Sequence, residues 1–357
     1  MQRRVGALAL GFGLIAAMAT ANAKVCTDPA RALGVSRVIE IDTTAGPRYG
    51  HQQYQDIDFL ADGEIVLTFD DGPLRPYTRP IVDALEAHCT KATFFMVGQM
   101  ALADPEMVRE IHRKGHTIGT HTHSHANLKK ITPLAARREI ELGFSSVQAA
   151  LGQPVAPFFR FPFLADPKSM VGYAQTRQFG IFSIDADAYD YKTKDPAAVH
   201  QAILNQIGAK KKGIILFHDI QESTARALPG LLAALKAKGF RVVHMKPKAV
   251  ASTLSEFDAI ARKEGGAKRI ASAANPLAER ALTWPVAPGQ PRPKSGAQWP
   301  PSGIVPPYAA AGVVPLSATA GLPPQPYAAP PLPLPPPVRV PRARAEADWR
   351  DSILRGN

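Results

Sequence analysis

Two adjacent carboxylates, Asp70 and Asp71, follow the apolar run Glu64-Ile65-Val66-Leu67-Thr68-Phe69 and precede Gly72-Pro73. Consecutive side chains on an extended chain point in different directions. One carboxylate can therefore ligate a cation while the other faces a water on that cation. Taken alone, Asp-Asp-Gly-Pro reads equally well as a polar turn. A second cluster is His121-Thr122-His123-Ser124-His125. Its outer histidines are four residues apart, so one helical turn would place both imidazoles on one face and send His123 away. That is a common geometry for two metal ligands. The third cluster, Arg160-Phe161-Pro162-Phe163, holds an arginine able to keep a neighbouring carboxylate ionised and oriented through a charge-assisted pair. The fourth, His218-Asp219, follows Ile214-Ile215-Leu216-Phe217 and offers a general acid near neutral pH. Two histidines and one aspartate leave positions on a metal for water and substrate, the pattern of hydrolytic centres. A second aspartate and a further histidine supply base and acid. The residues alone leave open which of Asp70 and Asp71 is base and which is ligand.

All four clusters fall at the carboxyl ends of predicted strands. From Glu64 onward strand-like and helix-like segments alternate. Strands are predicted at 64–69, 91–97, 116–119, 158–161, 180–184, 213–217 and 240–243. Helices are predicted from Thr78 to Ala87, from Asp104-Pro105 to Gly115, from Thr132-Pro133 to Gly152, and from Thr224 to Lys238. Asp166-Pro167 and Asp195-Pro196 repeat the signal of a capping side chain followed by proline. Strands separated by helices predict a parallel α/β sheet, open or closed into a barrel, and near-continuous apolar strands fit a sheet covered on both faces. In such barrels the active site lies where strands end and loops begin.

The ends of the chain are of different material. Arg3 and Arg4 precede an apolar run from Val5 to Ala19, and Ala21-Asn22-Ala23 gives a small-x-small cleavage site. Residues 1–23 thus read as a secretory signal, too short an apolar stretch for a membrane anchor, and the mature chain would carry no stable span. Residues 24–60 form an N-terminal extension, 61–250 the catalytic domain, 251–281 a linking helical segment and 282–357 a disordered, Pro-rich tail. The chain has 34 prolines, a large share of them beyond Trp284, and the tail includes the run 330–337, which favours polyproline II. Export to a periplasmic or extracellular space allows a disulfide between the two cysteines, Cys26 and Cys89. The formal net charge of +12 draws the chain towards anionic cell-envelope polymers. No aromatic-basic interleaving or nucleic-acid motif is present, which argues against nucleic acid as a partner.

The four clusters together resemble the NodB-homology polysaccharide deacetylases, carbohydrate esterase family 4. Thr68-Phe69-Asp70-Asp71-Gly72-Pro73 matches the first family motif in full. His121 to His125 matches the second, H-[ST]-x-x-H; Arg160-Phe161-Pro162-Phe163 the third, R-x-P-[FY]; and Leu216-Phe217-His218 the fifth, L-x-H. The resemblance implies a distorted (β/α) barrel of about seven units rather than the eight of the closed form. It implies Asp70 as general base, Asp71, His121 and His125 as ligands of a divalent metal, usually zinc, Arg160 as the residue that orients Asp70, and His218 as general acid. Leu216 would help line an acetyl-methyl pocket, and the backbone N–H of Phe163 would face the oxyanion. The implied substrate is an acetylated polysaccharide: peptidoglycan, chitin-like oligomers or an exopolysaccharide.

The fourth motif, commonly D-x-x-D-W, departs from the pattern. Asp187 and Asp190 fit its spacing with Tyr191 in place of Trp, or Asp185 takes the first position with a two-residue insertion. Asp190 is favoured as the residue that tunes the acid histidine, with Tyr191 at the substrate. The proline usual after the second motif is Ala126. Two other readings compete with N-deacetylation: an O-acetyl esterase on xylan-like polymers, and a non-catalytic wall-binding protein. The intact set Asp70, Asp71, His121, His125, Arg160 and His218 argues against the latter.

Overall fold

Strands with no polar face need cover on both sides, and β3 of the computed structural model, which describes residues 31–270, is buried at every position. The elements run in the order β1 (Arg37–Ile41), β2 (Arg48–Tyr49), β3 (Glu64–Asp70), α1 (Arg75–Ala87), β4 (Thr93–Met96), α2 (Gly98–Ala103), α3 (Pro105–Arg113), β5 (Thr117–Thr120), α4 (Pro133–Leu151), β6 (Phe158–Phe159), a 3-10 turn (Pro162–Leu164), α5 (Lys168–Thr176), β7 (Gly180–Phe182), β8 (Ala186–Asp187), α6 (Pro196–Lys210), β9 (Gly213–His218), α7 (Glu222–Ala237), β10 (Arg241–Pro247) and α8 (Ser255–Ile270). The signal segment, the Pro-rich tail and Cys26, and with it the pairing to Cys89, lie outside the described residues.

Seven strands, β3 to β9, form a distorted barrel in which every pairing is parallel. The hydrogen-bonded ladder runs from β8 through β9, β3, β4, β5 and β6 to β7; among the described residues β7 and β8 share no ladder. That seam is bridged by the chain around β2: β2 pairs with β7, Gln52 N–H donates to Ile184 O, and the Ser183 hydroxyl donates to Gln53 Oε1. Outside the ring, β10 pairs with the start of β3, and β1 pairs with β10. The segment read as an N-terminal extension therefore contributes two strands to the sheet.

Strand alternation sorts side chains into two cores. Phe69 stacks between Phe94 and Phe217, its register partners on β4 and β9, with centroids 5.1 and 5.3 Å away, in the layer beneath the helices. Val66, Phe95, Phe158, Phe182 and Ile214 fill a second, smaller cluster. Thr68, Asp70, Leu216 and His218 alternate with Phe69 and Phe217, so they share the face opposite those rings.

Local chemistry sets the helix boundaries. Asp104, Thr132 and Asp195 each cap a helix whose first residue is proline, accepting from Met107, Ala135 and Ala197 N–H. Asp166 does not repeat this. Helix α5 begins one residue later without a side-chain cap, because Asp166 accepts instead from the Tyr54 hydroxyl at 3.0 Å and pairs with Lys129. Helices α1 and α7 begin at Arg75 and Glu222, a few residues before their predicted starts. Helix α8 lies within the segment read as a linker and packs on α4 and α2. No helix of the described residues is long and apolar enough to cross a membrane.

Two buried histidines near the base of β5 and β10 give the fold an acid sensitivity. Burial, then the nearby Lys246 and Lys91, pushes His244 down to about 4, and burial also holds His116 well below the usual range. The unfolded chain takes up these protons near pH ~6.5 and the folded chain resists. Their contribution is therefore full above pH ~6.5 and falls away as pH drops towards 4, by about 3 kcal/mol for His244. Denaturant melts of His244→Gln should show a shallower loss of stability across that window than the parent. Equal slopes would remove His244 as a contributor.

Candidate active site and metal centre

Parallel register brings Asp70 directly opposite His218 on β9 and opposite Phe95 on β4. Three elements thereby fix the mouth of the barrel. Directly after β6 comes Arg160, 0% exposed, whose guanidinium reaches across the interior. It donates to Asp70 Oδ1 at 2.7 Å, Thr68 Oγ1 at 2.9 Å, Ser183 O at 3.1 Å and Phe182 O at 3.3 Å, and its charge lies 4.3 Å over the Phe95 ring. A buried arginine is tolerable only when its donors are met and a counter-charge sits beside it; Asp70 provides that charge. Burial pushes the Asp70 carboxyl upward, and Arg160 opposes the shift. With Oδ1 held by Arg160, Oδ2 of Asp70 turns to the cleft, 3.7 Å from His121 Nε2.

Asp71 and the two outer histidines of the second cluster converge at the mouth. One ligand atom from each of Asp71, His121 and His125 lies within 4.8 Å of the others. Asp71 Oδ1 is 3.5 Å from His121 Nε2 and 3.2 Å from His125 Nε2. His121 Nδ1 is 2.8 Å from Arg160 O, a carbonyl that can only accept. The ring proton is thus on Nδ1, and the Nε2 lone pair faces the Asp71 oxygen. Burial holds His121 down to about 3, which keeps it neutral. A lone pair and a carboxylate oxygen facing each other in a buried site repel unless a cation lies between them. Burial also pushes Asp71 up to about 7, with Asp70 and Asp219 adding to the shift and His218 opposing it. A bound cation would reverse that penalty. Two imidazole nitrogens and one carboxylate oxygen are a donor set that suits a divalent metal ion.

The expected helical turn through this cluster is absent. Residues 121–126 form an irregular loop in which Thr122 and His125 have φ of 64 and 59°. The Thr122 hydroxyl accepts from His125 N–H, and Glu139 accepts from both the N–H and the hydroxyl of Ser124. The two imidazoles meet because the loop is clamped, with ring centroids 5.0 Å apart. Asp71, Phe163 and Tyr189 also have positive φ, at 81, 60 and 52°. Backbone conformations of this cost persist where the surroundings over-determine them, often at working sites.

On β9, beside Asp70, His218 Nδ1 is 2.7 Å from Asp190 Oδ1. Asp190 Oδ2 accepts from the backbone N–H of His218 and from the Thr224 hydroxyl. Burial alone would lower the His218 pKa; Asp190, then Asp71 and Asp70, outweigh it and raise it to about 10. The other two candidates for the fourth motif face elsewhere. Asp185 accepts from His51 and Ile214 N–H groups, and Asp187 from Tyr189 N–H and the Tyr191 hydroxyl. Tyr191 sets its ring edge-on to His218, centroids 5.4 Å apart. Phe163, 40% exposed, lies against His125 at 4.6 Å, and Leu216 is buried two residues before His218. All ten residues singled out from the sequence therefore sit in or beside one cleft.

Sequence reasoning assigned no role to Asp219, Thr224, Glu139 or His51. Asp219 accepts from Gly72 N–H at 2.9 Å and from the Thr78 hydroxyl at 2.7 Å, so it locks the turn after Asp71. Its adjacency to His218 is the one signal available; Thr224 acts from the helix that follows His218, and Glu139 and His51 from more distant segments.

Residues 60–181 match the polysaccharide deacetylase family. The peptidoglycan-N-acetylglucosamine deacetylase of Bacillus cereus is 32% identical over 184 residues, covering 50% of this chain and 66% of that protein. A peptidoglycan-N-acetylglucosamine deacetylase of Listeria monocytogenes is 31% identical over 182 residues, covering 50% of this chain and 37% of that protein. A chitin deacetylase of Colletotrichum lindemuthianum is 28% identical over 197 residues, covering 51 and 77%. The chain thus spans 66 and 37% of the first two relatives' own lengths. Among solved structures, a peptidoglycan deacetylase of Bdellovibrio bacteriovorus superposes with a TM-score of 0.54 at 30% identity, covering 60% of this chain and 59% of that one.

Proposed function

Because the chain belongs to the polysaccharide deacetylase family, we propose that it is an exported, zinc-dependent hydrolase that removes N-acetyl groups from an amino-sugar polymer of the cell envelope. The observation that carries this reading is that Asp70 and His218 are register partners on adjacent strands, at the strand ends where the Asp71–His121–His125 triad gathers. Asp71, His121 and His125 would hold a divalent ion, which when bound would supply Lewis acidity towards the acetamide carbonyl and lower the pKa of a water.

The chain's own groups do the rest. Asp70, its Oδ1 pinned by Arg160, offers Oδ2 to take the proton of the attacking water. His218, kept protonated by Asp190, delivers a proton to the departing nitrogen. An amine leaves a tetrahedral intermediate only once protonated, whereas an alcohol is less demanding. An acid held this firmly in its charged form therefore favours N- over O-acetyl cleavage. Phe163 and Tyr189, 40 and 41% exposed, flank the cleft and suit the apolar faces of sugar rings. Leu216, buried two residues before His218, and Tyr191, edge-on to His218, are the apolar groups we assign to an acetyl methyl. The two peptidoglycan deacetylases among the relatives and the +12 charge support an anionic wall polymer as substrate, reached through the signal segment at residues 1–23.

Acetate release from peptidoglycan, N-acetylglucosamine oligomers and acetyl-xylan tests this directly. Release is expected from the N-acetylated polymers, lost on chelation and restored by zinc. Release from acetyl-xylan alone would move the assignment to an O-acetyl esterase, and no release from any of the three would leave a binding protein.

A further inference from the structure

His123 lies between the two proposed ligands yet faces away from Asp71, into the helical layer. It is 6% exposed. Its Nδ1 is 3.1 Å from the Ser146 hydroxyl on α4, and its Nε2 is 3.2 Å from the Glu264 carboxylate on α8. Its backbone is held as well: His123 N–H donates to Glu139 O, and Gln99 N–H donates to His123 O. The helices press on the loop with no side chain between. A Cβ on Gly143 of α4 would come within 2.7 Å of the Thr122 backbone, and one on Gly98 of α2 within 2.8 Å of Ser146 Cβ. Helix α8 covers this assembly, packing on both α4 and α2, and it lies beyond the residues that match the family.

We infer that Glu264 is a positioning residue for the metal centre: from α8 it fixes the His123 ring, and through it the loop that presents His121 and His125. A loop with two non-glycine residues at positive φ relaxes when a strut is removed, and the pair of imidazoles would lose its preset spacing. Partners one step behind a metal's ligands commonly change affinity by about 10–100-fold. Glu264 acts one residue further out, so the lower end of that range is expected. The inference rests on the assignment of Asp71, His121 and His125 as metal ligands.

Zinc affinity of the full chain, measured by competition with a chromophoric chelator, provides a readout separate from turnover. Glu264→Ala should weaken zinc binding about tenfold. Glu264→Gln, which keeps an acceptor for the His123 ring, should stay within about threefold of the parent. Thr253→Ala serves as the control. It breaks the contacts of Thr253 with Gln148 and Asp258 at the other end of α8 and should leave zinc affinity unchanged whatever it does to the melting temperature. Parent-like affinity in Glu264→Ala, or an equal loss in Thr253→Ala, overturns the inference while leaving the metal assignment in place. A parent chain that binds no zinc overturns both.

Discussion

Asp70→Asn should lower kcat by about 10²–10⁴-fold while zinc stays bound with near-parent affinity. The substitution keeps an oxygen for Arg160 but removes the carboxylate whose second oxygen faces His121 and can take a proton beside the triad. Its second consequence is on stability. Arg160 is fully buried, and Asp70 is its counter-charge at 2.7 Å. Thr68, Phe182 and Ser183 still accept its hydrogen bonds, but none carries charge. An uncompensated buried charge costs about 3 kcal/mol or more, so the assay belongs well below the variant's melting temperature. If kcat stays within a few-fold of the parent, the pair of Asp70 and Arg160 is architecture and the base lies elsewhere.

Asp190→Asn should move the alkaline limb of the pH–rate profile to lower pH by about 1–3 units. Asp190 is the largest influence holding the His218 proton in place, in opposition to burial. His218 bears its proton below its pKa and loses it above, so a lowered pKa removes the acid form from the alkaline side first. The acid limb should not follow. Activity near neutral pH should drop about tenfold or more, since the ring also loses the partner that orients Nδ1. An unmoved alkaline limb would dissociate His218 from proton delivery. Measuring kcat/KM across pH on a soluble N-acetylglucosamine oligomer separates these outcomes.

How much of this could be read from residues alone depended on how local each cause is. The strands of β3 and β9 were legible because burial on both faces writes itself as an unbroken apolar run. Helices with an Asp or Thr cap and proline after it were legible for the same reason: the cause sits within three residues. Asp166 shows the limit, since the same dipeptide loses its capping role to Tyr54, 112 residues away. Strands β2 and β8 have only two residues each, too few to set a period. The spacing of His121 and His125 suggests a helical turn, because spacing alone cannot tell a turn of helix from a clamped loop. The clamp comes from Glu139 and Thr122. The ligands were legible by type; what shapes their loop was not, because it arrives from α2, α4 and α8.

The seam between β7 and β8 bears on how the active site could diversify. Insertions are tolerated where no ladder has to be re-registered. Residues 183–185 span that seam, and the ambiguity of the fourth motif, a shift of two residues between Asp185 and Asp187, falls there. Ser183 O accepts from Arg160, Ile184 O from Gln52 N–H, and Asp185 N–H donates to Ile214 O, so a change of length here would leave the strand pairings of the ring intact while disturbing the hold on Arg160 and Asp185. A barrel closed at this point by single hydrogen bonds rather than a ladder has a place where its wall can change length without re-registering a strand, and the same place steadies Arg160 and through it Asp70.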